Sequence, residues 1–114
     1  MCYPSRMLEI RYYVTSDGSQ PFADWFADLE AVARAKITTA IARLEQGNVS
    51  NVKSVGGGVL EYRIDFGPGY RVYFGRDGAT LVILLTGGTK KRQQRDIVDA
   101  AAFWRDYKQG RRRA

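Results

Sequence analysis

Histidine is absent from this chain of 114 residues, and cysteine occurs once, at Cys2. Those two facts remove the usual zinc ligand sets and the Cys/His pairs of nucleophilic catalysis. A lone cysteine cannot close an internal disulfide, which fits a reducing cytoplasm. No apolar run approaches the roughly 18 residues that span a bilayer, and the N-terminus has no h-region of a signal peptide. A cytoplasmic protein without membrane contact is therefore expected. The serine-hydrolase elbow is missing, and no acidic cluster suggests a two-metal site. Gly56-Gly57-Gly58 is not a phosphate loop, because no Gly-Lys-Ser/Thr follows and a strand pattern does. No metal and no cofactor are expected.

What is present is a globular composition, 45% hydrophobic and 26% charged, in a length that suits one domain over residues 1–114. Residues 1–6 and 109–114 read as flexible ends, and Met7, where the first strand pattern begins, is a candidate start. The net charge of +6 is placed on one side of the sequence. Residues 89–114 hold nine basic and three acidic side chains, whereas residues 1–88 balance at nine each. A basic field of this kind attracts phosphate backbones. The run Arg111–Arg113 by itself reads as a solvated tail.

Leu8–Thr15 is rich in aromatic and β-branched residues and predicts a first strand. Phe22, Trp25, Phe26 and Leu29 predict a helix, with Ser19 or Asp17 as its cap and Pro21 in its first turn. Ala33, Ile37, Ile41 and Leu44 predict a second helix ending at Gly47-Asn48. These two helices read as an antiparallel pair covering a sheet. Asn51–Val55 is a candidate short strand. Leu60–Phe66 and Tyr70–Arg76 alternate and flank the turn Gly67-Pro68-Gly69. Leu81–Thr86 is apolar throughout, as in a strand covered on both faces, and Gly87-Gly88 reads as the turn that ends it. A last helix is expected from about Arg92 to Lys108, with Ile97, Ala101 and Trp104 inward. The order β-α-α-β-β-β-α implies an α+β fold, an antiparallel sheet of four or five strands with helices mainly on one face.

The alternation places Leu60, Tyr62, Ile64 and Phe66 on one face, and Glu61, Arg63 and Asp65 on the other. A three-residue loop at Gly67–Gly69 would pair Asp65 with Arg71 and Arg63 with Tyr73. Glu61, Arg63, Asp65, Arg71 and Tyr73 then share a face directed away from the core, with Lys90 and Lys91 at its rim. Cross-strand ion pairs on a wet sheet face are the plain reading. A rigid cationic surface for a polyanion, RNA before others, is the functional one. Lys90-Lys91-Arg92 favours function, since cations at a helix N-terminus oppose its dipole.

The segments LEYRIDFGPGYRVYF and LLTGGTKKRQQRDIVDA, together with PFADWFADLE and ARAKITTAIARLEQGN, resemble the RelE/ParE toxin superfamily, closest to its HigB-like "addiction module killer protein" branch. The resemblance spans roughly Leu8–Trp104. It implies a RelE-like fold and a toxin held in check by a helix-turn-helix, HigA-like antitoxin. It also implies metal-independent cleavage of mRNA on the ribosome. By position, Arg71 matches an arginine that contacts the scissile phosphate, Arg63 a basic position one strand earlier, and Lys90, Lys91 and Arg92 the basic segment before the last helix. The chain departs from the family where relatives carry a tyrosine or histidine as acid or base. Here the region reads Gln93-Gln94-Arg95-Asp96-Ile97, which leaves Tyr73, Tyr107 and Asp96 as candidates.

The expected catalytic set is accordingly Arg71, Arg63, Lys90, Glu61 and Tyr73. The arginines neutralise charge on a phosphorane-like transition state, and Glu61 or Tyr73 assists proton transfer. Lys53, Lys91, Arg92 and Arg95 form the expected RNA- and ribosome-binding set. A gyrase inhibitor of the ParE type and a non-toxic RNA- or protein-binding module are the alternatives.

Overall fold

A computed structural model describes residues 7–113, with side chains through Gly110. Cys2 and the rest of residues 1–6 lie outside that range, as does the Arg111–Arg113 run beyond its backbone. Nine elements follow one another: β1 (Glu9–Tyr12), α1 (Pro21–Ala27), α2 (Ala31–Glu45), β2 (Val52–Gly56), β3 (Val59–Ile64), β4 (Tyr70–Asp77), β5 (Leu81–Thr89), a 3-10 turn (Lys90–Arg92) and α3 (Gln93–Arg113). The strands form one sheet in the order β1-β5-β4-β3-β2. It is antiparallel except for β1, which runs parallel to β5. This is the α+β architecture expected, with five strands.

The helices do not sit mainly on one face. Phe22, Ile37, Leu44, Tyr62, Val72, Phe74, Val82 and Leu84 form one core under α1 and α2. Tyr13, Val59, Tyr73, Ile83, Leu85, Ala100 and Trp104 form a second core under α3. Strand β5 explains why two cores exist. Its even-numbered Val82 and Leu84 serve the first, and its odd-numbered Ile83 and Leu85 the second. Helix α1 lies mainly on β5 and α2 on β3, and both contribute side chains to the first core.

Sequence signals account for most boundaries. Pro21 opens α1 at a position where its missing N–H costs nothing. Neither Asp17 nor Ser19 caps that helix. Gln20 is the cap residue, and Asp17 instead accepts bonds from Thr15 and Ser19 within the preceding turn. Helix α2 buries Ala33, Ile37, Ala40 and Leu44. It ends in a Schellman motif, with Gly47 N–H donating to Leu44 and Asn48 N–H donating to Arg43. Gly57 and Gly58 form a two-residue β2–β3 turn with φ of +65° and +81°. Two successive positive φ values define the hairpin turn whose twist matches its strands.

Gly87 and Gly88 do not end β5, which continues to Thr89. They are places of close approach. A Cβ at 87 would lie 2.2 Å from the Trp25 ring, and one at 88 would lie 1.8 Å from Asp96 Oδ2. Gly75 plays the same part under Trp104, at 2.4 Å. Glycine in a strand interior often marks such contact, and these three let α1 and α3 settle onto the sheet.

The β3–β4 register differs from expectation by two residues. Ile64 pairs with Tyr70, Arg63 with Arg71, Tyr62 with Val72 and Glu61 with Tyr73. The connection is therefore five residues, Asp65–Gly69, closed by Gly69 N–H on Phe66 O at 3.0 Å. A two-residue shift keeps every side chain on its face, so hydrophobic alternation cannot distinguish the two registers. The shared face of Glu61, Arg63, Arg71 and Tyr73 is retained, but its cross-strand partners change.

Candidate functional site

Antiparallel pairing sets out two rows on the face that α3 partly covers. Lys53, Glu61, Tyr73 and Thr86 follow one another across β2, β3, β4 and β5. Arg63, Arg71 and Gly88 form the next row. The α3 end of each row is dry, and the β2 end is wet. Glu61 and Tyr73 are 0% exposed and Arg71 is 5% exposed, whereas Arg63 and Lys53 face solvent. The plain reading of a wet face with surface ion pairs is thus wrong for Glu61 and Arg71, because α3 covers them.

Arg71 stands at the boundary between the two zones. Its Nε lies 3.6 Å from Glu61 Oε2, in a buried ion pair. Gln93, the first residue of α3, donates from Nε2 to the same Glu61 oxygen at 2.8 Å. Among the described residues, the remaining Glu61 oxygen, Arg71 Nε, the Tyr73 hydroxyl and Asp96 Oδ2 have no hydrogen-bond partner. Tyr73 lies close enough to Glu61 to feel its charge without closing a well-aligned bond. Burial raises the Tyr73 phenol far above its ordinary value, and Glu61 and Asp96 raise it further, with a partial offset from Arg71. Tyr73 is therefore a neutral hydroxyl at neutral pH and not a base. Burial also raises the Asp96 carboxyl; Arg92 opposes that effect, Asp99 adds to it, and Arg95 opposes it.

The distal part of Arg71 reaches a groove of about 430 Å³ lined by Ser50, Asn51, Val52, Lys53, Arg63, Ile64, Asp65, Gly69, Arg71 and Lys90. Four cations and one carboxylate thus face a common space. The backbone that delivers Lys90 is tied down, since Lys90 N–H donates to Gly69 O at 2.8 Å. Among the described residues, no group of three or more His, Cys, Asp or Glu side chains is placed to hold a metal ion. None of the described helices is long and apolar enough to cross a membrane.

The expected site residues therefore separate into three groups. Arg71, Arg63, Lys90 and Lys53 converge on the groove. Glu61 and Tyr73 lie behind it, where Glu61 holds Arg71. Lys91, Arg92 and Arg95 are exposed near the start of α3 and do not line the groove. Of the candidate acid or base groups, Tyr107 donates to Asp77 at 2.7 Å and stacks on Trp104. Asp77 is six residues along β4 from Arg71, about 20 Å at 3.3 Å per residue, so Tyr107 belongs to the other end of the sheet. Asp96 lies over Gly88, beside Arg71 in the ladder. The part of Gln93 was not legible in the sequence, since a glutamine at a helix start carries no signal for a partner 32 positions away.

Residues 24–102 match the family model "Phage derived protein Gp49-like (DUF891)". An uncharacterized protein of Haemophilus influenzae (strain ATCC 51907 / DSM 11121 / KW20 / Rd) is 48% identical over 80 residues, covering 69% of this chain and 81% of that protein. The family-model match spans β2 through Lys90, where the groove residues lie. The chain belongs to the phage-derived Gp49-like family, a toxin-like family of the RelE/ParE type.

Proposed function

We propose that the chain is the toxin of a type II toxin–antitoxin pair of the HigB-like kind, and that it cleaves mRNA on the ribosome. The observation that carries this reading is the convergence of Arg71, Arg63, Lys90 and Lys53 on one groove. The 2′-hydroxyl of the RNA attacks the adjacent phosphorus, the bond to the 5′-oxygen breaks, and a 2′,3′-cyclic phosphate remains. One proton leaves the 2′-oxygen and one reaches the departing 5′-oxygen. Arg71 suits the transition state because a guanidinium fork addresses two phosphate oxygens at once. Its aim is set beforehand by Glu61, which Gln93 holds in turn, so the charge need not reorganise during reaction. Arg63, Lys90 and Lys53 dock the neighbouring backbone. Glu61 and Tyr73 act as positioning groups, since neither reaches the groove. The ribosome orients the strand, and a helix-turn-helix antitoxin restrains the toxin in the cytoplasm.

The test is induction followed by mapping of transcript ends, with the parent and with Arg63→Ala/Lys90→Ala. Both residues are exposed, so the fold is unaffected. The parent should cut ribosome-bound transcripts, and the variant should lose growth arrest and cleavage together. Arg71→Lys, which keeps the charge and loses the fork, should also fail to arrest growth. Intact transcripts with accumulating DNA breaks would instead indicate a gyrase inhibitor, and a harmless parent would indicate a non-toxic binding module.

A further inference from the structure

The groove at Arg71 continues past Arg63. A second depression of about 270 Å³ adjoins it, and the two share Asn51, Arg63, Ile64 and Asp65. Its far wall is the exposed side of α2, which contributes Lys36, Thr39 and Arg43. Lys36 holds its ammonium 5.1 Å above the Phe66 ring, in the β3–β4 loop. That contact fixes the cation at the loop edge without neutralising it. Among the described residues, Lys36, Arg43 and Arg63 form no ion pair with a carboxylate. Lys36 and Arg43 stand seven residues apart on α2, about 10 Å along its axis at 1.5 Å per residue. They are spaced to meet different phosphates.

We propose that the second depression is an extension of the RNA site, in which Arg63, Arg43 and Lys36 hold the phosphates of nucleotides flanking the one at Arg71. This rests on the reading that the first groove takes the scissile phosphate. The ligand is a single strand. The path turns past the end of β3 and the start of the β3–β4 loop within one small domain, and a duplex with a persistence length of about 50 nm does not follow such a bend. Nothing in the charge pattern of residues 1–88 announces this surface. It exists because α2 and β3 bring Lys36, Arg43 and Arg63 to one depression.

The experiment measures fluorescence anisotropy of 2′-O-methyl oligoribonucleotides, which bind without being cut. A dinucleotide and an octanucleotide are compared. Lys36→Ala/Arg43→Ala should weaken the octanucleotide and leave the dinucleotide unchanged. Each lost phosphate contact lowers the salt slope by about 0.7, which at ~0.1 M salt is about fivefold in affinity. The pair should therefore cost about 25-fold and lower the slope by about 1.4. Arg76→Ala/Arg105→Ala removes the same net charge from exposed sites outside both depressions and should leave the affinity and slope near those of the parent. Equal octanucleotide affinity in the parent and the Lys36/Arg43 variant would overturn the extension alone. A parent that binds neither probe at low salt would overturn the reading of the first groove as well. Unchanged RNA affinity with weakened antitoxin binding would reassign this face to a protein partner and end the proposal.

Discussion

Glu61→Ala is the most informative perturbation of the site, because it separates the buried ion pair from the groove it serves. Glu61 is fully buried and faces Arg71 Nε at 3.6 Å. At an effective dielectric of ~20, unit charges at that separation attract by about 4–5 kcal/mol. Removing one partner of a buried pair costs about 3–5 kcal/mol, because the other charge is left uncompensated. The far end of Arg71 reaches the groove and its water, which places the expected loss near the lower end, at about 3 kcal/mol. For a chain of this length that is a fall of about 12 °C in Tm. Thermal unfolding followed by circular dichroism measures it. Glu61→Leu/Arg71→Met supplies the control. It removes both charges at similar volume, so most of the lost stability should return while growth arrest stays abolished. A Tm for Glu61→Ala within a few degrees of the parent would refute the reasoning. So would a double variant no more stable than the single one. Arg71→Ala would strand Glu61 in the same way and so confound loss of function with loss of fold.

Gly88→Ala should destabilise the fold by about 1–3 kcal/mol, since its Cβ would overlap Asp96 Oδ2 and the first turn of α3 must retreat. Urea midpoints measure the cost, and Gly88→Ala/Asp96→Ala should recover part of it. Asp96 also gives stability a pH dependence of known sign. Its carboxyl titrates higher in the fold than in the unfolded chain, so the folded state binds more protons between the two values. Its contribution is then greatest below about pH 4 and is lost as pH rises through the raised folded value. Asp96→Asn should remove that decline and narrow its stability gap from the parent at low pH. Urea midpoints that run parallel with pH in the two proteins would contradict the assignment.

Much of the element order was legible because each helix keeps a stripe and each strand keeps its alternation. The double-sided apolar run at Leu81–Thr86 even announced a strand covered on both faces. Its consequence, a helix on the second face, conflicted with the expected one-sided arrangement, and α3 resolves the conflict. The groove residues Arg71, Arg63 and Lys90 were legible by alternation together with family resemblance. Gln93 was not, and neither was the joining of Lys36 and Arg43 to Arg63, since these are contacts between segments far apart in sequence.

The sequence by itself determined which side chains of β3 and β4 share a face, because strand periodicity sets their parity; the bulge that swaps the faces of β5 between Leu85 and Thr86 was not legible. The sequence also left open a slip of two residues, which parity does not detect. Only the tertiary structure decided that Glu61 rather than Arg63 stands opposite Tyr73, and that Arg63 stands opposite Arg71. Only the tertiary structure decided which part of that face is dry. The physical reason is that burial belongs to what packs above a residue. Gly75 and Gly88 admit Trp104 and Asp96 of α3 onto the sheet, and this turns one half of a polar row into a buried support for the other.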